Sequence, residues 1–211
     1  MKVIVFGATG GIGRLLVAGA LELGHAVTAF VRNGQSLEPR DGLRIVQGDI
    51  FDPQSVADAI DGHRAVFSAL GARTLKAEPV LSRAMPLIIN GMHFHMVDRI
   101  ITVGAAGALY PAGKYQPPIV TVLFAIIRAT VLRHPMADQQ TQEHLLATTD
   151  LDYTIMRPPR LTDDPATGTY RVLPDALPSS SRQISRADVA DFMLQQLVDP
   201  RFHRRGVYLA E

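Results

Sequence analysis

The 211-residue chain contains no cysteine and no tryptophan. Without cysteine there is no disulfide framework, no thiolate metal site and no cysteine nucleophile, an absence that suits a reducing cytoplasm. A surplus of charge is lacking too. The 21 basic and 20 acidic residues leave a net charge of +1, so the chain offers no electrostatic footprint for nucleic acid. Any charged ligand must be held by local design. Only 19% of residues are charged against 47% hydrophobic, which argues against disorder. Long apolar runs are missing as well. The stretch after Lys2 ends at Gly7 and reads as a buried strand rather than a signal peptide. Residues 119–132 fall short of the roughly 18 apolar residues of a membrane span and contain Arg128. No repeat, linker or low-complexity tail is visible, so the chain reads as one domain, or one domain with insertions.

What is present is alternation. Short β-branched runs at 2–6, 26–31, 43–47, 65–69, 99–103 and 153–156 are separated by helical patterns. This is the signature of a doubly wound parallel sheet in an α/β domain, and near-continuous apolar strands imply that both faces are covered. Residues 11–23 read as a helix stopped by Gly24. Residues 53–60 read as a second, opened by Asp52 and closed by Gly62, and 79–94 as a third with a kink at Pro86. After the fifth strand the rhythm breaks. An apolar helix to Leu132, a polar one over 136–148, a strand near 170–173, a helix from the Ser185 and Asp188 capping pair to Val198, and a last strand over 206–209 complete the expectation. The segments 105–135 and 157–185 are left to form the acceptor side.

Gly7, Gly10 and Gly13 stand in GATGGIGR, directly after the first strand and at the opening of the first helix. That position suits a phosphate, which must approach the backbone closely and is met by exposed amides and the helix dipole. Thr9, Gly11, Ile12 and Arg14 belong to the same turn. The spacing is Gly-x-x-Gly-x-x-Gly, and GATGGIG resembles the atypical short-chain dehydrogenase/reductase group. VRN, GDIFD, FSALGAR, VDRIITVGA, LDYTIMRPPRL, ATGTYRV and ISRADVADFML extend the resemblance over nearly the whole chain. Together they are similar to the biliverdin reductase B/flavin reductase and NmrA-like branch. The resemblance implies an NAD(P)-binding Rossmann fold.

The second strand ends in Arg32 and Asn33, where an NAD-preferring protein usually carries a carboxylate. A guanidinium there can fork onto a 2′-phosphate, and Arg14, just after the last motif glycine, can supply a second cation, so NADP(H) is the expected cofactor. By strand topology and resemblance, Asp49 and Ile50 should bracket the adenine. Ala69, Leu70 and Gly71 should line the ribose and pyrophosphate, with Arg73 in reach of a phosphate. Val103, Gly104 and Ala105 after the fifth strand, and Met156, Arg157 and Pro158 after the sixth, should flank the nicotinamide.

Catalytic residues are harder to name. Carbonyl-reducing relatives use a tyrosine and a lysine four residues later on one helix. Tyr110 and Lys114 have that spacing, but Pro111 and Gly113 between them oppose a helical register. The resemblance places a serine after the fifth strand and a histidine after the Pro-Pro pair, where this chain has Ala105 and Arg160. Arg160 could instead steady an anionic acceptor. His93 and His95 lack a third ligand for zinc, and His134 and His144 read as surface residues or donors. The residues and the resemblance together imply a cytoplasmic, NADPH-dependent reductase passing hydride to a flavin, quinone or similar conjugated acceptor. The alternative is an NmrA-like NADP sensor without turnover. No metal, nucleic acid or membrane span is expected. The helix over 119–132 can cover the acceptor, pack into the core or mediate self-association.

Overall fold

The computed structural model describes residues 1–34, 37–71, 78–106, 133–174 and 183–210. Its first half alternates strand and helix: β1 (Lys2–Phe6), α1 (Gly11–Glu22), β2 (Ala26–Val31), β3 (Leu43–Gln47), α2 (Pro53–Ile60), β4 (Ala65–Ser68), α3 (Leu81–Phe94) and β5 (Arg99–Val103). Then come α4 (Arg133–Ala147), β6 (Asp152–Arg157), β7 (Arg160–Thr162), β8 (Arg171–Leu173), β9 (Gln183–Ser185), α5 (Arg186–Gln195) and β10 (Arg205–Ala210).

Eight strands form one sheet in the order β3-β2-β1-β4-β5-β6-β10-β8, and β7 and β9 form a separate pair. All neighbours in the large sheet run parallel except β8, which lies antiparallel to β10 at the edge. The result is a single-domain Rossmann-like α/β fold. The chain winds outward from β1 to β3, then crosses back to β4. That reversal opens a crevice beyond the carboxyl ends of β1 and β4.

Strand periodicity sorts the core into two layers. Val3 and Val5 face one side, with α1 and α5 supplying Leu16, Val17, Val189 and Phe192. Ile4 and Phe6 face the other, where α2, α3 and α4 supply Ile60, Met85, Ile88 and Leu146. Most of these side chains are completely buried. Each such residue contributes about 1.5–3 kcal/mol of transfer free energy.

Several boundaries differ from those read in the sequence. β4 stops at Ser68, because its partner β1 turns away at Gly7 once the Ala69 N–H has bonded the Phe6 carbonyl. α5 ends at Gln195 rather than Val198, since the amides of 196–198 tighten into shorter turns. β6 gains a residue at each end, and the short strands β7 and β9 were not expected. Pro86 lies inside α3. The inferred apolar helix over 119–132, with the rest of 107–132, lies outside the described residues. No helix among the described residues is long and apolar enough to cross a membrane.

Candidate functional site

The glycine turn is built by exclusion. Gly7 has φ +78°, and a β-carbon there would stand 2.5 Å from the Ala69 carbonyl oxygen. A β-carbon on Gly13 would overlap the Gly7 carbonyl oxygen. Side chains at either position would push the turn off β4 or α1 off the turn. Gly10 is the α1 N-cap and supplies no side-chain cap, whereas Asp52 caps α2 and Ser185 caps α5. The first-turn amides of Gly11, Ile12 and Gly13 therefore face outward with the positive end of the helix dipole. A cradle that a β-carbon would fill, beside uncapped amides, fits a dinucleotide pyrophosphate.

The turn opens into a cleft of about 330 Å3. Gly7, Thr9 and Gly10 form its floor, and Ala69, Leu70 and Gly71 one wall. At the far end Phe30, Val31, Arg32, Ile50 and Phe51 surround an apolar slot with the exposed Arg32 on its rim. Glu78 and Val80, leading into α3, close the remaining side.

Other expected residues stand elsewhere. Asp49 Oδ1 accepts the Phe51 N–H at 2.9 Å, a local turn contact, and Asp49 does not line the cleft. Arg14 Nε donates to the Thr9 carbonyl at 3.2 Å, bracing the glycine turn from outside. Gly11, Ile12 and Gly13 open α1 directly after the floor residues and are not themselves part of the cleft lining. Arg73, Tyr110 and Lys114 lie outside the described residues.

The ends of β5 and β6 form a tied platform rather than an open wall. The Gly104 N–H donates to the Met156 carbonyl at 2.6 Å and the Ala106 N–H to the Pro158 carbonyl at 2.9 Å. Val103, Met156 and Pro158 are buried, while Ala105 is half-buried. Beneath them Thr102 donates to Ser68 O and to Gln142 Oε1, both at 3.1 Å, and Gln142 Nε2 donates to the Val103 carbonyl at 3.1 Å. Arg157 is held by Glu143, with Nη2 to Oε2 at 2.5 Å, and lies over the Tyr208 ring. Burial alone would lower the Arg157 pKa, but hydrogen bonding and attraction to Glu143 raise it overall. The guanidinium stays charged and fixes the end of β6. Arg160 starts β7 and is exposed.

Glu78 and Val80 lie in no sequence motif, and Phe51, inside GDIFD, is not singled out by it; Phe51 and Val80 are held by residues distant in sequence, and Glu78 by Arg83 five residues on. Arg83 lies 4.0 Å from the Phe51 ring centroid and pairs with Glu78 at 3.0 Å. Val80, the α3 N-cap, has no capping side chain of its own. Asp138 of α4 replaces it: its buried carboxylate accepts the N–H groups of Val80, Leu81 and Ser82 at 2.9, 2.9 and 2.7 Å.

The histidines are dispersed. His93 pairs with Asp150 and His95 with Asp61, while His134 and His144 are exposed on α4. Among the described residues no cluster of His, Asp or Glu is arranged to hold a metal ion.

Residues 7–200 match a family model described as NAD(P)H-binding. The uncharacterized protein YwnB of Bacillus subtilis is 28% identical over 207 residues, 95% of this chain and 93% of that protein. The isoflavone reductase homolog IRL of Zea mays and the photosystem II assembly factor Ycf39 of Synechocystis are 29% and 30% identical over 53% and 74% of this chain. The chain spans only 39% and 44% of their lengths. Among solved structures, SP1627 of Streptococcus pneumoniae, named for NADH-flavin reduction, superposes with a TM-score of 0.77 at 26% identity, over 100% of this chain and 99% of that one. A Veillonella parvula short-chain dehydrogenase/reductase in complex with NADP gives 0.81 at 21% identity, covering 100% and 94%, a likeness of fold.

Proposed function

The chain belongs to the NAD(P)H-binding family, in its atypical short-chain dehydrogenase/reductase branch, and from that premise we propose an NADPH-dependent reductase that passes hydride to a flavin, quinone or similar conjugated acceptor. The observation that carries this reading is the cleft itself, which runs from the glycine turn to an apolar slot with Arg32 on its rim. When bound, the nicotinamide supplies the hydride. The protein holds and orients. Gly11, Ile12 and Gly13 would present amides to the pyrophosphate, Arg32 would fork onto the 2′-phosphate, and Phe30, Ile50 and Phe51 would exclude water from the adenine. The Thr102–Gln142 and Arg157–Glu143 contacts keep the ends of β5 and β6, which would flank the nicotinamide, rigid.

Ala105 and Arg160 supply no acid at the two positions where the resemblance calls for a donor. Reduction of an electron-poor conjugated ring tolerates that, because solvent can deliver the proton. The name of SP1627 points to the same acceptor class.

The test is NADPH oxidation with FMN, a quinone and biliverdin as acceptors, alongside titration with NADPH and NADH. Turnover with at least one acceptor and tighter NADPH binding are expected. Arg32→Ala should cost NADPH about 1.5–3 kcal/mol of binding and leave NADH nearly unchanged. Equal NADPH and NADH affinities would overturn the NADP assignment. Tight binding with no consumption across the panel would overturn the reductase in favour of a dinucleotide sensor.

A further inference from the structure

Arg186 opens α5, and its side chain runs across the first turn of α1. A β-carbon on Gly11 would stand 2.7 Å from Arg186 Cδ and 3.0 Å from its Nε. The glycine at 11 therefore serves a neighbour, whereas those at 7 and 13 serve the turn. With no side chain in the way, the arginine stem lies flat on the helix start. Its guanidinium meets Asp163 just after β7, with Nη1 2.6 Å from Oδ1. The arginine side chain is 29% exposed and the aspartate 89%.

A fixed cation thus lies beside the Gly11 backbone, at a helix end that is itself positive and has no side-chain cap. Two positive features held together call for an anion, and Asp163 answers from the solvent side. An ion pair with one partner almost wholly in water is weak and easily exchanged. A guanidinium on a phosphate is short, charge-assisted and geometrically matched.

We propose that Arg186 is a cofactor-binding residue: on binding of the dinucleotide its guanidinium leaves Asp163 for a pyrophosphate oxygen and closes the α1 end of the cradle from the α5 side. The inference rests on the cofactor reading above and adds to it a residue from the far end of the chain. Asp163 then acts as a competing counter-ion that parks the guanidinium while the site is empty. Because α5 packs against α1 through Leu16, Val17, Val189 and Phe192, the stem of Arg186 is already in place and only its tip has to turn.

The experiment compares NADPH, NADH and adenosine 2′-monophosphate, which has the adenosine and no pyrophosphate, by calorimetric titration of the full chain. Arg186→Ala should weaken both dinucleotides by the same factor, about 10- to 100-fold, and leave adenosine 2′-monophosphate unchanged. This separates it from Arg32→Ala, which should affect NADPH and adenosine 2′-monophosphate but spare NADH. Arg186→Lys should recover part of the loss. Asp163→Asn, an exposed substitution that keeps the fold, should tighten both dinucleotides several-fold. Unchanged dinucleotide affinity in Arg186→Ala, or no tightening in Asp163→Asn, overturns the proposal. A parallel loss of adenosine 2′-monophosphate also overturns it, since it would mark Arg186 as a support of the whole cleft. A wild-type chain that binds neither dinucleotide overturns the cofactor reading itself, so the two failures are distinguishable.

Discussion

His63 shows how a single buried side chain sets a pH response. It is 8% exposed, with Nδ1 3.1 Å from the Ile60 carbonyl and Nε2 2.8 Å from Thr28 Oγ1. A carbonyl can only accept, so the proton sits on Nδ1 and Nε2 accepts from the threonine hydroxyl. Burial lowers the pKa from the ordinary 6.5, outweighing the backbone contacts that favour the charged ring. The folded state therefore binds this proton less readily than the unfolded chain. Stability should be level above about pH 6.5 and fall as the pH drops through the lowered value. His25, lowered mainly by desolvation, adds in the same sense. Thermal unfolding at pH 7.5 and 5.5 checks this: His63→Asn should lose less stability between the two pH values than the wild type does. An identical drop in both proteins would remove His63 as a source.

At the scale of elements, the cleft depends on a helix cap supplied from a distant part of the chain. α3 begins without a capping side chain, and Asp138, 56 to 58 residues later, completes its first turn. Helix α4 thereby holds the segment of Glu78 and Val80 against the cleft. Asp138→Ala strands three N–H groups, that of Leu81 buried and those of Val80 and Ser82 part-buried, and should destabilise the protein by about 2–3 kcal/mol. The melting temperature should fall by roughly 5–10 °C, and NADPH affinity should weaken because the wall loosens. A melting temperature within a degree of the wild type would show that water substitutes for the carboxylate. This contact also marks the limit of sequence reading. GATGGIGR announces itself because turn, helix start and phosphate chemistry occupy consecutive residues. Val80 lines the cleft only because Asp138, from another element, caps the helix it opens, and nothing local distinguishes either from ordinary core and surface positions. The ion pair that occupies Arg157 was hidden likewise, because Glu143 lies on a helix whose polar pattern suggests only a solvated face.

Across the whole molecule, the sheet was legible wherever both of its faces are covered. Strands β1, β2, β4 and β5 are buried almost throughout and read as continuous apolar runs. β7 and β9 are not legible because three residues give no periodicity, and because among the described residues they pair only with each other. The sheet and α5 are also joined at the end opposite the cleft. Arg99 donates to the Gln196 carbonyl at 2.7 Å, to Thr154 Oγ1 at 2.8 Å and to Asp152 Oδ1 at 3.0 Å. Desolvation lowers its pKa against the pull of Asp152, yet a guanidinium keeps its charge there. It clamps the C-terminal end of α5 to β5 and β6.

The position of β10 has a temporal side. It is the last described strand in sequence, yet it lies between β6 and β8 and supplies the partner for both. While the chain is being synthesised, β6 presents one bare edge and β8 has no place in the sheet until residues 205–210 have left the ribosome. The nascent protein therefore passes through an interval with unpaired strand edges, the stage at which a neighbouring chain could add to the sheet in place of β10.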